Sequence, residues 1–572
     1  MITILKGLKI VWYTLIIIIL GSCAEKPEEP HIAVNVLGYR ADFPKQAFLV
    51  HSVADGFHVI ESSTNQVVYR GASGRIKPPD PATGNQLVVL DFSDFHIPGN
   101  YFITAEGSGT YGSTPFTIGY DVYYDAVFTS LKSFYYHRCG TQVQSDGEWK
   151  YQLCHTDDAP LYNNPEIRID VTGGWHDAGD YNKFSVNTAL SAALLLYLYE
   201  HNQDRFTDNQ LGIPESGNDI PDILDEVIYA LEWLMKMQRA DGAVYHKVSQ
   251  KQWIGEFLPH EDPSVRYLFE ISTTATASFT AVSALAARIL EPHNEMLAEK
   301  LRESALRGWA YLESHPVIQP LGGFKNPPDV FGGEYGDDND RDERMWAAIE
   351  LYRKTGDEKY IQYFILHHQT LLWSFNPLSW RNVHSLALHA FLDADLNSEF
   401  NFEKTRVLEA WMNHADSIIS VQFRKNYKNL VRHTEYYWGS NSVGLGYAFD
   451  LIQLYRHTGQ LRYLYAAADQ LHFVLGRNPV NRSQVTGTGN PSVQHPYHQL
   501  SEMGAFSAPV PGMLVGGPNS YVFLRNRKIS DFPAKNYEDR FQNFYVNEPA
   551  INFTAIFSYV SGMIAFHPSL IV

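Results

Sequence analysis

A short glycine-rich segment carries the first pair of groups that can do chemistry. Residues 173–180 read G-G-W-H-D-A-G-D, so the carboxylates of Asp177 and Asp180 stand three residues apart. Like charges this close oppose double ionisation and separate the two pKa values, so one carboxylate can act as a base toward a shared water molecule. Asx-rich turns and calcium loops show the same pattern, so the segment alone leaves these interpretations open.

A third carboxylate stands near the C-terminus. Glu548 follows Asn547 and precedes Pro549, where a helical apolar period begins, which predicts a junction between a loop and a helix. Asp539 lies nine residues earlier in the same polar stretch. A glutamate at this place can donate a proton to a reacting group. It can equally be a first-turn residue that the helix dipole stabilises.

Two cysteines and two histidines form a separate set of possible metal ligands. Cys154 is followed directly by His155, while Cys139 precedes them and His176 lies inside the glycine-rich segment. Two thiolates and two imidazoles match a closed, structural zinc site. A disulfide between the cysteines is the alternative, because an exported protein meets an oxidising compartment. A zinc hydrolase built on the same residues is disfavoured, since four protein ligands leave no open position for water.

Aromatic content and charge indicate the class of ligand. Aromatic residues make up 14% of the chain, and the formal net charge is -18. The negative charge disfavours nucleic acid and other polyanionic partners. Flat rings stack on sugar faces, although core packing explains single rings equally well. Three rings near the polar segments are predicted sugar platforms: Trp175, Trp438 and Tyr497.

Two folded domains must position these groups. Between residues 32 and 118, β-rich runs alternate with turns such as Pro98-Gly99, which predicts a small all-β immunoglobulin-like sandwich of about seven strands. From residue 122 to 572 the apolar period is 3.6, which predicts a mainly α domain of about twelve helices. Repeated L-Y-R-x-T-G segments end helices at Gly356 and Gly459. These hairpins predict a six-hairpin α/α barrel whose long loops gather at one end.

The N-terminus has the order of a bacterial lipoprotein signal. Lys6 and Lys9 precede an apolar run over 10–20, and Leu-Gly-Ser leads into Cys23. The run is shorter than the ~20 residues that a transmembrane anchor needs. We expect residues 1–22 to be a signal peptide, Cys23 to be lipidated, and 23–31 to be a tether. This predicts a lipoprotein of the bacterial outer membrane, on its periplasmic face or at the cell surface.

Three ordered motifs resemble glycoside hydrolase family 9, the cellulase family with a six-hairpin α/α barrel. They are residues 174–181, the segment from His495 to His498, and the Asn547-Glu548 pair. The resemblance covers nearly the whole mature chain, including an immunoglobulin-like domain before the barrel. It implies a hydrolase that cleaves β-1,4-linked glucan with inversion. Exo-acting β-glucosidases or glucosaminidases, and a surface lipoprotein that captures glycan without cutting it, are the alternatives.

The resemblance also implies roles for individual residues. Asp180 is the general base, Asp177 helps to hold the nucleophilic water, and Glu548 protonates the leaving oxygen. Inversion requires about 6.5–9.5 Å between acid and base to accommodate the water. We expect a raised pKa for Glu548 and lowered pKa values for Asp177 and Asp180. Asp539 supports substrate and acid.

One departure from the family pattern affects the substrate. His495 and His498 are implied substrate contacts, but Gln499 follows where endoglucanases usually have arginine. Glutamine lacks the charged donor fork of arginine. We therefore expect decorated glucans, mixed-linkage glucans, short oligosaccharides or glucosamine oligomers to compete with plain cellulose.

The resemblance bears on two metals. Some members carry zinc at positions like those of the four cysteine and histidine residues, where it would brace the segment that bears Asp177 and Asp180. A family calcium loop is partly matched, but Arg381 stands where a later aspartate is expected, and helix capping by Asp340 and Asp342 explains the same charges. The possible calcium ligands are Asp338, Asn339, Asp342 and Glu343.

Overall fold

The computed structural model describes residues 29–107, 109–145, 147–373, 375–422, 427–521 and 529–570. The predicted signal peptide and Cys23 lie outside these ranges. None of the helices in the described ranges combines the length and the apolar character that a membrane crossing requires.

The first domain is a sandwich of two sheets, which confirms the predicted immunoglobulin-like fold. One sheet has the order β1-β3-β6, and the other has the order β2-β9-β7-β4-β5 with β8 paired to β7. Along β7, Tyr101, Ile103 and Ala105 are buried in alternation with more exposed residues, as expected for a strand with one face on a core. The strands are β1 (His31–Ala33), β2 (Gly38–Arg40), β3 (Gln46–Val50), β4 (Ala54–Glu61), β5 (Val67–Ala72), β6 (Leu87–Asp91), β7 (Gly99–Gly107), β8 (Thr110–Gly112) and β9 (Phe116–Gly119).

The second domain is mainly helical, as predicted. Its helices are α1 (Tyr124–Tyr136), α2 (Ser185–His201), α3 (Asp222–Lys236), α4 (Thr273–Ile289), α5 (Glu295–Ser314), α6 (Arg341–Thr355), α7 (Glu358–His367), α8 (His384–Asp393), α9 (Asn401–Gln422), α10 (Ser440–Thr458), α11 (Leu461–Val474), α12 (Gln499–Met503), α13 (Phe544–Asn547) and α14 (Ile551–Ala565). The helices α6 and α10 end at Gly356 and Gly459, whose φ values of 71° and 67° are left-handed. This confirms the helix ends that the repeated segments predicted.

The long helices form an inner and an outer layer, and the predicted α/α barrel is confirmed. In the inner layer, α2, α4, α6, α8, α10 and α14 contact one another in a closed ring. The helices α1, α3, α5, α7, α9 and α11 pack against them from outside. Every residue of α2 from Ser185 to Tyr199 is buried, which is the pattern of a helix surrounded by protein.

A small sheet at one end of the barrel was not predicted from the sequence. It has the order β11-β10-β14-β13-β12. The strand β12 connects the glycine-rich segment directly to α2, so the sheet fixes the segment relative to the barrel. Its strands are β10 (Ala159–Leu161), β11 (Asn164–Ile169), β12 (Lys183–Phe184), β13 (Lys247–Ser249) and β14 (Tyr267–Leu268).

Buried polar contacts join the two domains. The guanidinium of Arg40 donates to the carbonyl oxygens of Ile564 and His567 at 2.8 Å each, and it also pairs with Asp42. It thereby satisfies carbonyl groups at the C-terminal end of α14, where they lack helical partners. The sandwich therefore packs directly on the barrel.

Candidate active site

The glycine-rich segment lies at the end of the barrel where the inner helices begin, and buried side chains hold it. The indole N–H of Trp175 donates to Glu226 Oε1 at 2.7 Å, and Glu226 pairs with Arg138. Lys183 Nζ donates to the carbonyl oxygens of Val171 and Gly173. Trp175 has no exposed surface, so its predicted role as a sugar platform is wrong. Its buried ring instead helps to hold the segment in place.

Asp177 is buried and accepts two side-chain hydrogen bonds. Asn187, on the first turn of α2, donates to Oδ1 at 2.8 Å, and the hydroxyl of Tyr335 donates to Oδ2 at 3.0 Å. Burial raises the pKa of Asp177 to about 7, and the nearby charge of Asp180 adds to the shift. The carboxyl group is fixed in place, and its protonated and charged forms are about equally populated near pH 7.

Asp180 is more accessible than Asp177 and is held by one neighbour. Asn182 donates from its backbone N–H to Oδ1 at 3.0 Å and from its side chain to Oδ2 at 2.7 Å. The amide oxygen of Asn182 accepts in turn from the backbone N–H of Gln250. Burial raises the pKa of Asp180, although the bonds from Asn182 oppose the shift. Asn182 was not predicted from the sequence, although its place two residues after Asp180 could have indicated it.

Glu548 follows the short helix α13 and points at the glycine-rich segment. Its Oε1 accepts from the backbone N–H of Gly179 at 3.3 Å. Burial raises the pKa of Glu548 well above its usual range, and the charges of Asp180 and Asp177 raise it further. The carboxyl groups of all three predicted catalytic residues therefore share one site.

The expected direction of the pKa shift is confirmed for Glu548 and wrong for both aspartates. All three pKa values are raised because burial of three neighbouring carboxyl groups outweighs their hydrogen bonds. The groups still differ in their donors. Each aspartate accepts two hydrogen bonds, whereas Glu548 accepts one long backbone bond. Glu548 therefore has fewer contacts that stabilise its charged form, which favours the protonated acid.

Backbone contacts bring the three motif segments together. The N–H of Ile551, at the start of α14, donates to Asp177 O at 2.8 Å, and the N–H of Gln499 donates to Gly179 O at 2.9 Å. A Cβ atom on Gly179 would collide with the carbonyl oxygen of Tyr497, so only glycine permits this close approach. The convergence rests on main-chain packing at the mouth of the barrel.

Asp539 and His495 lie in two loop segments that contact each other next to Asn547 and Glu548. Asp539 accepts from the backbone N–H of His495 at 2.9 Å and from the guanidinium of Arg482 at 2.8 Å. The side chain of Asn547 donates to the carbonyl oxygen of His495. The ring of His495 is exposed at this edge, where it can meet a ligand.

His498 and Gln499 are buried behind the site. His498 Nδ1 lies 2.8 Å from Ser501 Oγ, and Gln499 Oε1 accepts from the backbone N–H of Phe257 at 3.1 Å. Both side chains are 3% exposed. Their predicted contact with sugar does not fit this placement, because protein surrounds them. They anchor the segment that carries Tyr497.

Two protein-family models match the two domains of the chain. The glycosyl hydrolase family 9 model matches residues 123–561, and the model of the cellulase N-terminal ig-like domain matches residues 27–110. The chain belongs to glycosyl hydrolase family 9. The predicted family and its N-terminal domain are confirmed.

Relatives of this family 9 hydrolase cover nearly its whole length. Endoglucanase D of Acetivibrio thermocellus is 31% identical over 542 residues, which span 93% of this chain and 83% of the relative. A xyloglucan-specific endo-beta-1,4-glucanase of Bacteroides ovatus is 30% identical, with 92% of each chain covered. The crystal structure of a metagenome-derived family 9 endoglucanase superposes with a TM-score of 0.87 at 32% identity, covering 95% of this chain and 99% of that one.

Aromatic rings line the surface beside Glu548 in the family 9 hydrolase. The ring of Tyr497 packs against Phe544 at 5.4 Å, and Phe544 packs against Trp438 at 5.8 Å. On the other side of Tyr497 lies Trp253, with ring centroids 6.0 Å apart. Trp438 and Trp253 are 37% and 42% exposed, so both side chains are accessible from solvent. Trp253 was not predicted from the sequence because it lies outside the three motifs.

The predicted metal ligands lie together beneath the glycine-rich segment. One ligand atom from each of Cys139, Cys154, His155 and His176 lies within 4.8 Å of all the others. Both cysteines are free thiols, so the alternative of a disulfide is wrong. Asp262 Oδ2 lies 3.2 Å from His155 Nε2 and can fix the tautomer that turns Nδ1 toward an ion. Two sulfur and two nitrogen donors in a buried, closed arrangement fit a tetrahedral ion.

The side chains of the possible calcium loop do not converge as the four cysteine and histidine ligands do. The guanidinium of Arg381 lies 3.3 Å from Asp338 Oδ1. Neither predicted capping contact forms, because Asp340 accepts from Arg344 and Asp342 accepts from a backbone N–H before α8. Within the described ranges, ligand atoms converge within 4.8 Å at two places, and this loop is neither of them. The predicted calcium ligands that do not converge are Asp338, Asn339, Asp342 and Glu343.

Proposed function

We propose that this protein hydrolyses β-1,4-linked glucan with inversion, using Asp180 as general base and Glu548 as general acid. The observation that carries the proposal is the contact between the Gly179 N–H and Glu548 Oε1. Glu548 thereby lies beside the residue that precedes Asp180, as the proposed pairing of acid and base requires. The raised pKa of Glu548 supports its role as the group that enters the reaction protonated.

The residues of the site then act in one step. Glu548 gives its proton to the glycosidic oxygen as the bond from that oxygen to the anomeric carbon breaks. Asp180 takes a proton from a water molecule as the water oxygen bonds to the anomeric carbon from the opposite face. Asp177, fixed by Asn187 and Tyr335, holds the same water in line. The product anomer is inverted.

The substrate class follows from the relatives and the rings. The relatives described above are an endoglucanase and a xyloglucan-specific endo-beta-1,4-glucanase. Trp253, Tyr497 and Trp438 form a wall of rings on which successive glucosyl units can stack. Gln499 is engaged with Phe257, so it does not supply the charged contact of the family arginine. We therefore assign a preference for β-glucans with branches or mixed linkages over linear cellulose.

We further propose that Cys139, Cys154, His155 and His176 hold a structural zinc ion. Four protein ligands close the coordination shell, so zinc would contribute rigidity and no reacting water. The site lies on the segment that bears Asp177 and Asp180, and its ligand His176 is adjacent to Asp177. Its role would be to hold that segment in its bent path.

The sequence also supports a location. We propose that residues 1–22 are removed, that Cys23 is lipidated, and that 23–31 tether the domains at 32–118 and 122–572 to the bacterial outer membrane, on its periplasmic face or at the cell surface. The support is the order of charged, apolar and small residues before Cys23. Metabolic labelling with a radioactive fatty acid tests this, and Cys23→Ser should lose the label.

The catalytic assignment is tested with Glu548→Gln and the matched control Glu538→Gln, an exposed glutamate of the same loop. Loss of the acid should reduce kcat on natural oligosaccharides by roughly 10²–10⁴-fold, with folding intact. Asp180→Asn should also be inactive. Activated aryl glycosides, whose leaving groups need no proton, should restore activity only to the Glu548 variant. Turnover near wild type on natural substrates would exclude Glu548 as the acid.

The stereochemical and substrate assignments have separate tests. Proton NMR of the first product should show the α-anomer, and a β-anomer would contradict inversion. The kcat/KM values on cello-, xylogluco-, mixed-linkage and glucosamine oligosaccharides test the specificity. Loss of a charged contact corresponds to roughly one to two orders of magnitude. If linear cello-oligosaccharides are clearly the best substrates, the argument from Gln499 is wrong and the catalytic assignment stands.

A further inference from the structure

A second cluster of histidines lies at the opposite end of the barrel from the catalytic carboxylates. His201 is the last residue of α2, and His389 and Asp393 stand one turn apart at the end of α8. In the inner ring, α2 and α8 are separated by α4 and α6, so the two helices face each other across the barrel. The 17 residues of α2 span about 25 Å, which separates this cluster from the glycine-rich segment.

The ligand atoms of this cluster have the spacing of a metal site. Asp393 Oδ2 lies 3.7 Å from His201 Nε2 and 3.6 Å from His389 Nε2. One ligand atom from each of the three residues lies within 4.8 Å of those of the other two. These distances exceed those of hydrogen bonds. They are close to the roughly 3.3–3.6 Å between neighbouring ligands of a tetrahedral ion with bonds of about 2.0–2.2 Å.

The Nε2 atoms of the two imidazole rings are not engaged in hydrogen bonds within the described part of the chain. Neither His201 Nε2 nor His389 Nε2 has a hydrogen-bond partner among the residues that the structure describes, and both are buried. The Tyr559 hydroxyl lies 3.2 Å from His201 Nδ1 and can accept its proton, which leaves Nε2 free to ligate.

A cavity adjoins two of the three residues, His201 and Asp393. A cavity of about 510 Å³ is lined by His201, Asp393, Asn202 and Met563. Glu200 and Arg353 also line it, but they pair with each other at 3.1 Å. An ion held by two imidazoles and one carboxylate would thus have a remaining position on the side of this cavity.

Arg456 competes with a metal for the same groups. Its Nη2 lies 3.1 Å from Asp393 Oδ2, and its Nη1 lies 3.3 Å from His389 Nδ1. In this state His389 carries its proton on Nε2, so metal binding requires the proton to move to Nδ1 and Arg456 to withdraw. The side chain of Gln453, 2.8 Å from Nη1, remains as a partner for the withdrawn guanidinium. The arginine and the ion therefore exclude each other.

We propose that His201, His389 and Asp393 form a second metal site, specific for a divalent transition metal such as zinc. Two imidazoles and one carboxylate are a preferred donor set for such ions. The ion would link α2 to α8 across the end of the barrel and stabilise it, at a distance that excludes a role in glycoside cleavage. The site is independent of the four cysteine and histidine ligands beneath the glycine-rich segment.

Metal titration of the full chain separates the two sites. After removal of metal with a chelator, equilibrium dialysis should show two zinc ions per chain in the wild type. Cys154→Ser should keep one, and adding His389→Gln should remove it. With cobalt, the Cys154→Ser protein should show ligand-field bands without sulfur charge-transfer bands. A wild type that binds one zinc, with none left in Cys154→Ser, would overturn the second site and leave the catalytic proposal untouched.

Substitution of Arg456 should change the zinc affinity in the opposite direction to substitution of His389. Arg456→Gln should tighten zinc binding in the Cys154→Ser background by roughly tenfold or more, because it removes the competing positive charge. The matched control is Arg462→Gln, an exposed arginine paired with Asp416, which should leave the affinity unchanged. Unchanged or weaker binding in Arg456→Gln would refute the proposal. If His389→Gln does not fold, X-ray absorption of zinc-loaded Cys154→Ser decides, since sulfur in the first shell contradicts the assignment.

Discussion

Tyr335→Phe tests how the protonation of the catalytic cluster is set. The Tyr335 hydroxyl donates to Asp177 Oδ2 at 3.0 Å, and burial keeps the pKa of Tyr335 well above its usual range, so it is a neutral donor at all working pH values. A hydrogen bond to a charged group contributes about 1.5–3 kcal/mol, which corresponds to about one to two pKa units. Removing it should raise the pKa of Asp177 from about 7 by that amount.

The sign of the effect on activity follows from the charged form of Asp177. In the proposed mechanism the carboxylate of Asp177 holds the water and the protonated acid does not, so we expect activity to be lost as the pH falls through the pKa of Asp177. Raising that pKa moves the acidic limb of the pH profile to higher pH. At a pH above the new limb, kcat/KM should recover because Asn187 still fixes the other oxygen of Asp177.

The assay is kcat/KM on a soluble β-glucan oligosaccharide across the pH range. Tyr162→Phe is the control, because the Tyr162 hydroxyl also bonds a carboxylate, that of Asp329, but at an exposed site. It should leave the profile unchanged. If Tyr335→Phe lowers kcat/KM equally at every pH with the acidic limb in place, then Tyr335 does not act through the charge of Asp177 and the reasoning is refuted.

Three further predictions concern the same region. Asp177→Asn should raise the thermal midpoint at pH 7 but not below about pH 4. The reason is that a folded pKa of about 7 makes the native state lose stability as the pH rises between these two values. A lower midpoint at pH 7 would contradict this. Gly179→Ala should lower kcat roughly 10²-fold, since its Cβ displaces the Tyr497 carbonyl, and near-normal kcat would show that the segment can move. Cys154→Ser should lose about one zinc by elemental analysis together with several kcal/mol of unfolding free energy, and an unchanged midpoint would argue against a bound ion.

The sequence by itself determined the fold and the identity of the chemical groups. Periodicity of 3.6 and the glycines at 356 and 459 are local properties, so the hairpins could be predicted from neighbours along the chain. The carboxylates and the sulfur and nitrogen ligands were found for a similar reason, because the chemistry restricts them to few residue types in short segments. Their convergence was expected from the barrel, whose loops meet at one end.

Tertiary structure alone decided which side chains face the ligand. Trp175, His498 and Gln499 stand in the motifs, yet all three are buried, because the direction of a loop side chain depends on the packing of distant residues such as Glu226 and Phe257. The raised pKa values of the aspartates have the same origin, since desolvation depends on every atom around a group.

The contact between His201 and His389 is the clearest case of what the sequence could not supply. His389 and Asp393 stand one turn apart on α8, but nothing along the chain connects this pair with His201 at the end of α2. Closure of the inner ring brings α2 and α8 to face each other and turns both Nε2 atoms toward Asp393. Distance along the chain carries no information about such a pair, because only the packing of the whole ring determines where the helix ends meet.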